Sequence, residues 1–192
     1  MFKLYEQYLE AIDKYLADCF ASQQPFIHCK SGCANCCEVG EYPFSRLEME
    51  YLMDGYAKLP ARVQKIIKNN FNKLLREKMK STGRFLHACP FLIDKKCALY
   101  NRRGLTCRAF GLASFEEVNG QRVVKLPACS NIGLNYSEAL ENGTVSVEKF
   151  QQHGVTSPIN HSLSLNFFHK DLLNGFEGIE FGEIRPILAW FD

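Results

Sequence analysis

Apolar residues recur along the start of the chain at three- and four-residue steps: Phe2, Tyr5, Leu9, Ile12, Leu16 and Cys19. That period predicts a helix over about residues 2–20, with Glu6, Glu10, Asp13 and Lys14 interleaved on its polar side. Cys19 falls on the apolar face and reads as core, because free cysteine packs as a small hydrophobe and a solitary one offers no local chelate. From Ala21 to Glu38 no period persists, and Pro25 and Gly32 mark a loop. Ser45 stands three residues before Glu48, a capping box opening a second helix that runs to about Tyr56. Pro60 then starts a longer one, with Val63, Ile66, Ile67, Phe71, Leu74, Leu75 and Met79 as its buried stripe and Ser81, Thr82 and Gly83 as its stop.

Beyond residue 85 the pattern shortens. Two small apolar runs flank Asp94, Lys95 and Lys96, predicting a hairpin that brings Cys89 and Cys97 toward each other. Asn119-Gly120 signals a second hairpin, leading into Pro127, Ala128 and Cys129. After Cys129 the chain reads as short helices around "SVEKFQQHG", "SLSLNFFHKDLLNG" and "IRPILAWF". The expected fold is therefore α+β and mainly helical: a single domain over 1–192, with helices around a cysteine-rich loop and hairpin. Residues 27–130 form its cysteine cluster region and 131–192 a helical packing segment; no internal repeat divides it.

Composition changes the picture at one point. With 192 residues and 46% apolar content, the chain can bury a core without thiols as substitutes, yet it carries nine cysteines. The opening segment is too charged for a secretory signal, and no run approaches the roughly 18 apolar residues of a membrane span. A cytoplasmic protein with reduced thiols is expected, which favours metal ligation over disulfides; the odd cysteine count agrees. A net charge of +2 gives no reason to expect a nucleic-acid or membrane partner, and the locally basic stretch 65–80 reads as a solvated helix face. No Ser-His-Asp order or His-Glu-x-x-His motif points to hydrolysis.

The candidate chemistry lies in "HCKSGCANCCEVG" at 28–40, with Cys29, Cys33, Cys36 and Cys37, and in Cys89, Cys97, Cys107 and Cys129. Structural zinc asks for four thiolate or imidazole ligands, usually as pairs from separate loops. Eight cysteines suffice for two such sites, for one with spare thiols, or for an iron–sulfur cluster with an additional pair. Cys33, Cys36, Cys89, Cys97 and Cys107 are the foremost ligand candidates, followed by Cys29, Cys37 and Cys129. A cubane (4Fe–4S) cluster, favoured slightly over zinc, often has a proline after one of its cysteines, as at Cys89-Pro90. Cys36 and Cys37 are adjacent, so their side chains are expected to diverge. Arg102, Arg103 and Arg108 could offset thiolate charge. His28 and His87 stand one and two residues from cysteines and could supply imidazole ligands, although a lone histidine more often hydrogen-bonds nearby backbone. His153, His161 and His169 show no ligand spacing.

The run of Cys29, Cys33, Cys36 and Cys37, followed by "CPFL" at 89–92 and "CALYNRRGLTCRAFG" at 97–111, resembles the CxxCxxCC, or YkgJ-type, cysteine cluster family. The resemblance covers roughly residues 27–130 and implies zinc or iron chelation. Two departures stand out: three residues separate Cys29 from Cys33, and Gly104 occupies a place where the family usually has proline. The same cysteine pattern resembles a region of flagellin lysine N-methylases, and "CKSGCANC" has the spacing of S-adenosylmethionine radical enzymes. Against the latter, Asn35 precedes Cys36 where those enzymes place an aromatic, and no strand–helix alternation follows. Three function classes thus arise: a cluster or zinc protein, a cluster-dependent methyl-transfer enzyme, and a handler that takes up and delivers zinc, iron or copper.

Overall fold

The first apolar stripe forms α1 (Lys3–Ser22), burying Tyr5, Tyr8, Leu9, Ile12, Leu16 and Cys19. The fold is that of a computed structural model, which describes residues 2–30, 32–141, 144–154 and 175–191. Two compact units emerge, each made of two separate stretches: residues 1–31 with 108–179, and residues 32–107 with 180–192. They are called here the first and the second unit.

The chain enters the second unit through α2 (Asn35–Glu38), a single helical turn inside the expected loop. Next come β1 (Pro43–Ser45) and α3 (Arg46–Ala57). The capping box is complete: the Ser45 hydroxyl accepts from Glu48 N, and the Glu48 carboxylate accepts from Ser45 N at 2.7 Å. Helix α4 (Ala61–Lys78) buries Ile67, Phe71 and Leu74. Met79, expected in that stripe, is 87% exposed, because it caps the helix beyond the packed region. The first expected hairpin is present as β2 (Leu92–Ile93) against β3 (Lys96–Cys97), with Leu92 opposite Cys97. Asp94 and Lys95 both take positive φ, 48° and 59°, the tight-turn geometry that matches strand twist. A short helix, α5 (Leu105–Ala109), follows.

In the first unit, β4 (Ser114–Val118) and β5 (Gln121–Lys125) pair around Asn119-Gly120 as expected, with φ of 53° and 76° at the turn. A small hairpin, β6 (Leu140–Glu141) with β7 (Thr144–Val145), and α6 (Val147–Gln152) follow. Phe26, Tyr136 and Phe150 form an aromatic core there, with Phe26 and Phe150 ring centroids 4.7 Å apart. The helix expected at "SLSLNFFHKDLLNG" lies outside the described residues up to its final Gly175, as do His161 and His169.

The chain ends in the second unit. "IRPILAWF" is not the expected helix: it opens as strand β8 (Ile184–Pro186), antiparallel to β1 with Phe44 opposite Arg185, before a 3-10 turn at Ile187–Trp190. Pro186 at the junction has φ fixed by its ring and no N–H for a helix interior. The second core gathers Phe44, Leu52, Ile67, Phe71, Phe91 and Leu188, and Cys89, Cys97 and Cys107 pack against it.

Candidate metal centre

Three segments of the second unit present thiols: α2 carries Cys36 and Cys37, the run from His87 into the β2–β3 hairpin carries Cys89 and Cys97, and α5 carries Cys107. Backbone pairing fixes the first two segments. Gly40 and His87 exchange hydrogen bonds of 3.0 and 3.1 Å, and Cys89 N donates to Cys37 O at 2.7 Å. The hairpin then folds Cys97 back, with Ala98 N donating to Phe91 O at 2.9 Å.

Helix α5 is held by Glu48, which is only 1% exposed. One of its oxygens serves the α3 cap; the other accepts from Leu105 N, the first residue of α5, at 2.8 Å. Gly104 permits that approach. A Cβ there would stand 2.5 Å from the Phe44 ring and 2.9 Å from Glu48 Oε1, so neither alanine nor proline fits without displacement.

Cys37, Cys89, Cys97 and Cys107 form one electrostatic group. In all six pairings, charge on one thiol raises the cost of charging the other. Burial is the larger cause for three of them: it pushes Cys89 up to about 12, raises Cys97, and carries Cys107 well above the ordinary thiol range. Cys37 moves the other way, down to about 7, because the Cys36 thiol hydrogen-bonds to it; their sulfurs are 3.9 Å apart. The helical turn thus holds together two side chains expected to diverge. Backbone amides also reach the thiols: those of Phe91 and Leu92 bond Cys89, and that of Leu99 bonds Cys97. Such N–H···S bonds favour the thiolate and fix its direction.

The other sequence candidates are placed differently. Cys33 is exposed, with Asn35 Nδ2 3.7 Å from its sulfur. Cys29 and Cys129 belong to the first unit, as does Cys19. There Asn135, fully buried, donates from Nδ2 to Cys29 Sγ at 3.2 Å and to Gly111 O at 2.7 Å, and accepts from His28 N at 2.7 Å. Cys19 hydrogen-bonds with Tyr15, and its thiol is raised chiefly by burial. Charge on Cys19, Cys29 or Cys129 reaches the buried Tyr136 hydroxyl, which accepts from Ala113 N. His28 pairs with Glu138 at 2.8 Å. Of the arginines, Arg103 eases the charging of Cys97. Arg102 pairs with Asp54 at 2.8 Å and lies over the Tyr51 ring, and Arg108 pairs with Asp13.

The donor set of the second unit fits a soft or borderline metal ion. Buried thiols that resist ionisation one beside another become good ligands once a divalent cation supplies the missing positive charge and their protons leave. Among the described residues, no three Cys, His, Asp or Glu side chains already stand at coordinating separations. A tetrahedral zinc site would bring its sulfurs to about 3.8 Å from one another, the edge set by Zn–S bonds of about 2.3 Å. No helix among the described residues is long and apolar enough to cross a membrane.

The fold is of the α+β type, and the thiols of the second unit make a donor set of the kind metal-chelating proteins use. The chain belongs to the CxxCxxCC family: the model of that family, described as "Putative zinc- or iron-chelating domain", matches residues 28–130. No curated protein and no solved structure matches the chain.

Proposed function

We propose that the second unit chelates zinc or iron through Cys37, Cys89, Cys97 and Cys107, with Cys36 and the exposed Cys33 as auxiliary thiols at its edge. The observation that supports this reading most is the mutual coupling of four thiols from three separate segments, three of them, Cys89, Cys97 and Cys107, packed against one core. Like charges are not assembled in a hydrophobic setting without cost, and a cation converts that cost into affinity. When bound, the metal would cross-link α2, the β2–β3 hairpin and α5; this chain's own part is to direct the thiols, through the amides of Phe91, Leu92 and Leu99, and to release their protons.

A handling role has its own support in the graded exposure of the thiols, from exposed Cys33 through partly exposed Cys36 and Cys37. Exchange needs such accessible thiolates. Analysis of zinc, iron and acid-labile sulfide per chain after anaerobic purification tests the reading. Zinc without sulfide identifies a structural or handling site; iron with sulfide identifies a cluster and keeps a methyl-transfer enzyme in play. A protein that retains no metal and takes none up contradicts the proposal.

A further inference from the structure

His87 holds the one buried ring nitrogen in the second unit for which the described residues offer no hydrogen-bond partner. The residue is 7% exposed, and Nδ1 lies 2.8 Å from the carbonyl oxygen of Ala88. A carbonyl can only accept, so Nδ1 carries the proton and, in the neutral ring, Nε2 presents a bare lone pair. That Nε2 is buried and without a partner. Everything else about the residue is satisfied: its backbone N–H and C=O both pair with Gly40, and its ring stacks on Phe85 at 5.4 Å and 26°. A buried acceptor left unmatched costs about 1–3 kcal/mol. Natural structures keep such an atom where something else uses it.

The position of the residue indicates the use. His87 bridges Gly40 in antiparallel fashion and Cys89 N donates to Cys37 O, so His87 lies on the same backbone pairing that brings Cys37 and Cys89, two members of the coupled thiol group, together. Donation of the second ring nitrogen to a backbone carbonyl is also the usual outer support of a metal-bound histidine, because it fixes the tautomer and the ring orientation.

We propose that His87 Nε2 is a nitrogen ligand of the thiol centre, taking the fourth position of a tetrahedral zinc beside three of the four thiols, a mixed nitrogen–sulfur donor set of the kind zinc accepts. This rests on the thiol-centre reading above. Thiols would give up their protons to solvent on binding.

X-ray absorption at the zinc edge of the full-length protein loaded with zinc provides the test. The expected spectrum has a sulfur shell at about 2.3 Å and one nearer nitrogen at about 2.0–2.1 Å with imidazole outer-shell scattering. His87→Ala should lose that scattering and on the order of ten-fold or more in zinc affinity, and His87→Cys should give an all-sulfur shell at unchanged stoichiometry. The wild-type spectrum decides even if His87→Ala does not fold. A sulfur-only shell in the wild type, or imidazole scattering that persists in His87→Ala, overturns the role of His87 and leaves the thiol centre standing. Failure of the wild type to bind zinc overturns this proposal together with the zinc form of the reading it rests on.

Discussion

The two units treat their cysteines in opposite ways. In the first, thiols are absorbed into ordinary protein interactions: Asn135 donates to Cys29, Tyr15 bonds with Cys19, and Cys129 is buried in a 3-10 turn. In the second, Cys37, Cys89, Cys97 and Cys107 face one another's charge, and backbone amides bond the sulfurs of Cys89 and Cys97. Cys19 and Cys129 are buried while Cys29 is exposed, and amides bond thiols in both units, so neither burial nor an amide partner distinguishes a packing cysteine from a ligand. What distinguishes the second set is mutual charge: four thiols that raise the cost of charging one another call for a cation.

Metal removal should expose this contrast most strongly. For a site that cross-links three segments, binding free energy is in large part folding free energy. Stripping the protein with a strong chelator is expected to lower its melting temperature by about 10 °C or more. Trp190, the single tryptophan, belongs to the second unit and donates to Phe44 O at 3.1 Å, so its fluorescence should report the change. Hydrogen exchange at 89–107 should accelerate while that at 8–16 does not; equal acceleration in both stretches would break the comparison.

Glu48→Ala comes next in size. It leaves the buried amides of Ser45 and Leu105 unmatched and frees the start of α5, at an expected cost of about 3 kcal/mol. Zinc affinity should fall with it, because Cys107 loses its anchor. Denaturant unfolding together with a zinc competition assay checks both; an affinity unchanged within two-fold would show, as an order-of-magnitude threshold, that α5 is placed by other contacts.

The metal-free protein should also carry a pH signature. Cys89 has its pKa raised from 9.0 in the unfolded chain to about 12, so its contribution to stability is fully present below pH 9 and is lost as pH rises toward 12. Cys97 and Cys107 shift in the same direction. A loss of a few kcal/mol over that window is expected by denaturant unfolding of the metal-free protein. The metal-loaded protein should be flatter over the same range, because its thiols have already ionised; parallel curves would argue against ligation.

The smallest expected effect lies in the first unit. Asn135→Ala removes acceptors and donors from His28 N, Gly111 O and Cys29, at about 2 kcal/mol in stability, with metal content per chain unchanged. Metal loss in this variant would mean that the first unit's cysteines take part in chelation.

Much of this architecture was local and therefore legible. The stripe of α1, the Ser45–Glu48 box and the Asn119-Gly120 turn each depend on residues within a few positions of one another. The hairpin between Cys89 and Cys97 was legible for the same reason. What the chain did not reveal is long-range: β8 pairing with β1, and Glu48 reaching Leu105 across 57 positions. The second of these converts a capping residue into the support of a candidate ligand, a role that no spacing encodes. Cys37 ranked behind Cys36 in the sequence because adjacent side chains usually diverge, whereas the helical turn at 35–38 holds both sulfurs together. His87 read alike with His28, as a histidine that could supply imidazole but more often bonds backbone; its Ala88 hydrogen bond, its burial and its unmatched Nε2 set it apart.

The most direct test of the central claim is metal bound per chain in Cys107→Ser and Cys129→Ser, purified in parallel with the wild type without oxygen and with folding verified by circular dichroism. The account predicts a substantial loss of metal in Cys107→Ser and wild-type content in Cys129→Ser. Full retention in Cys107→Ser, or equal loss in both, would contradict it.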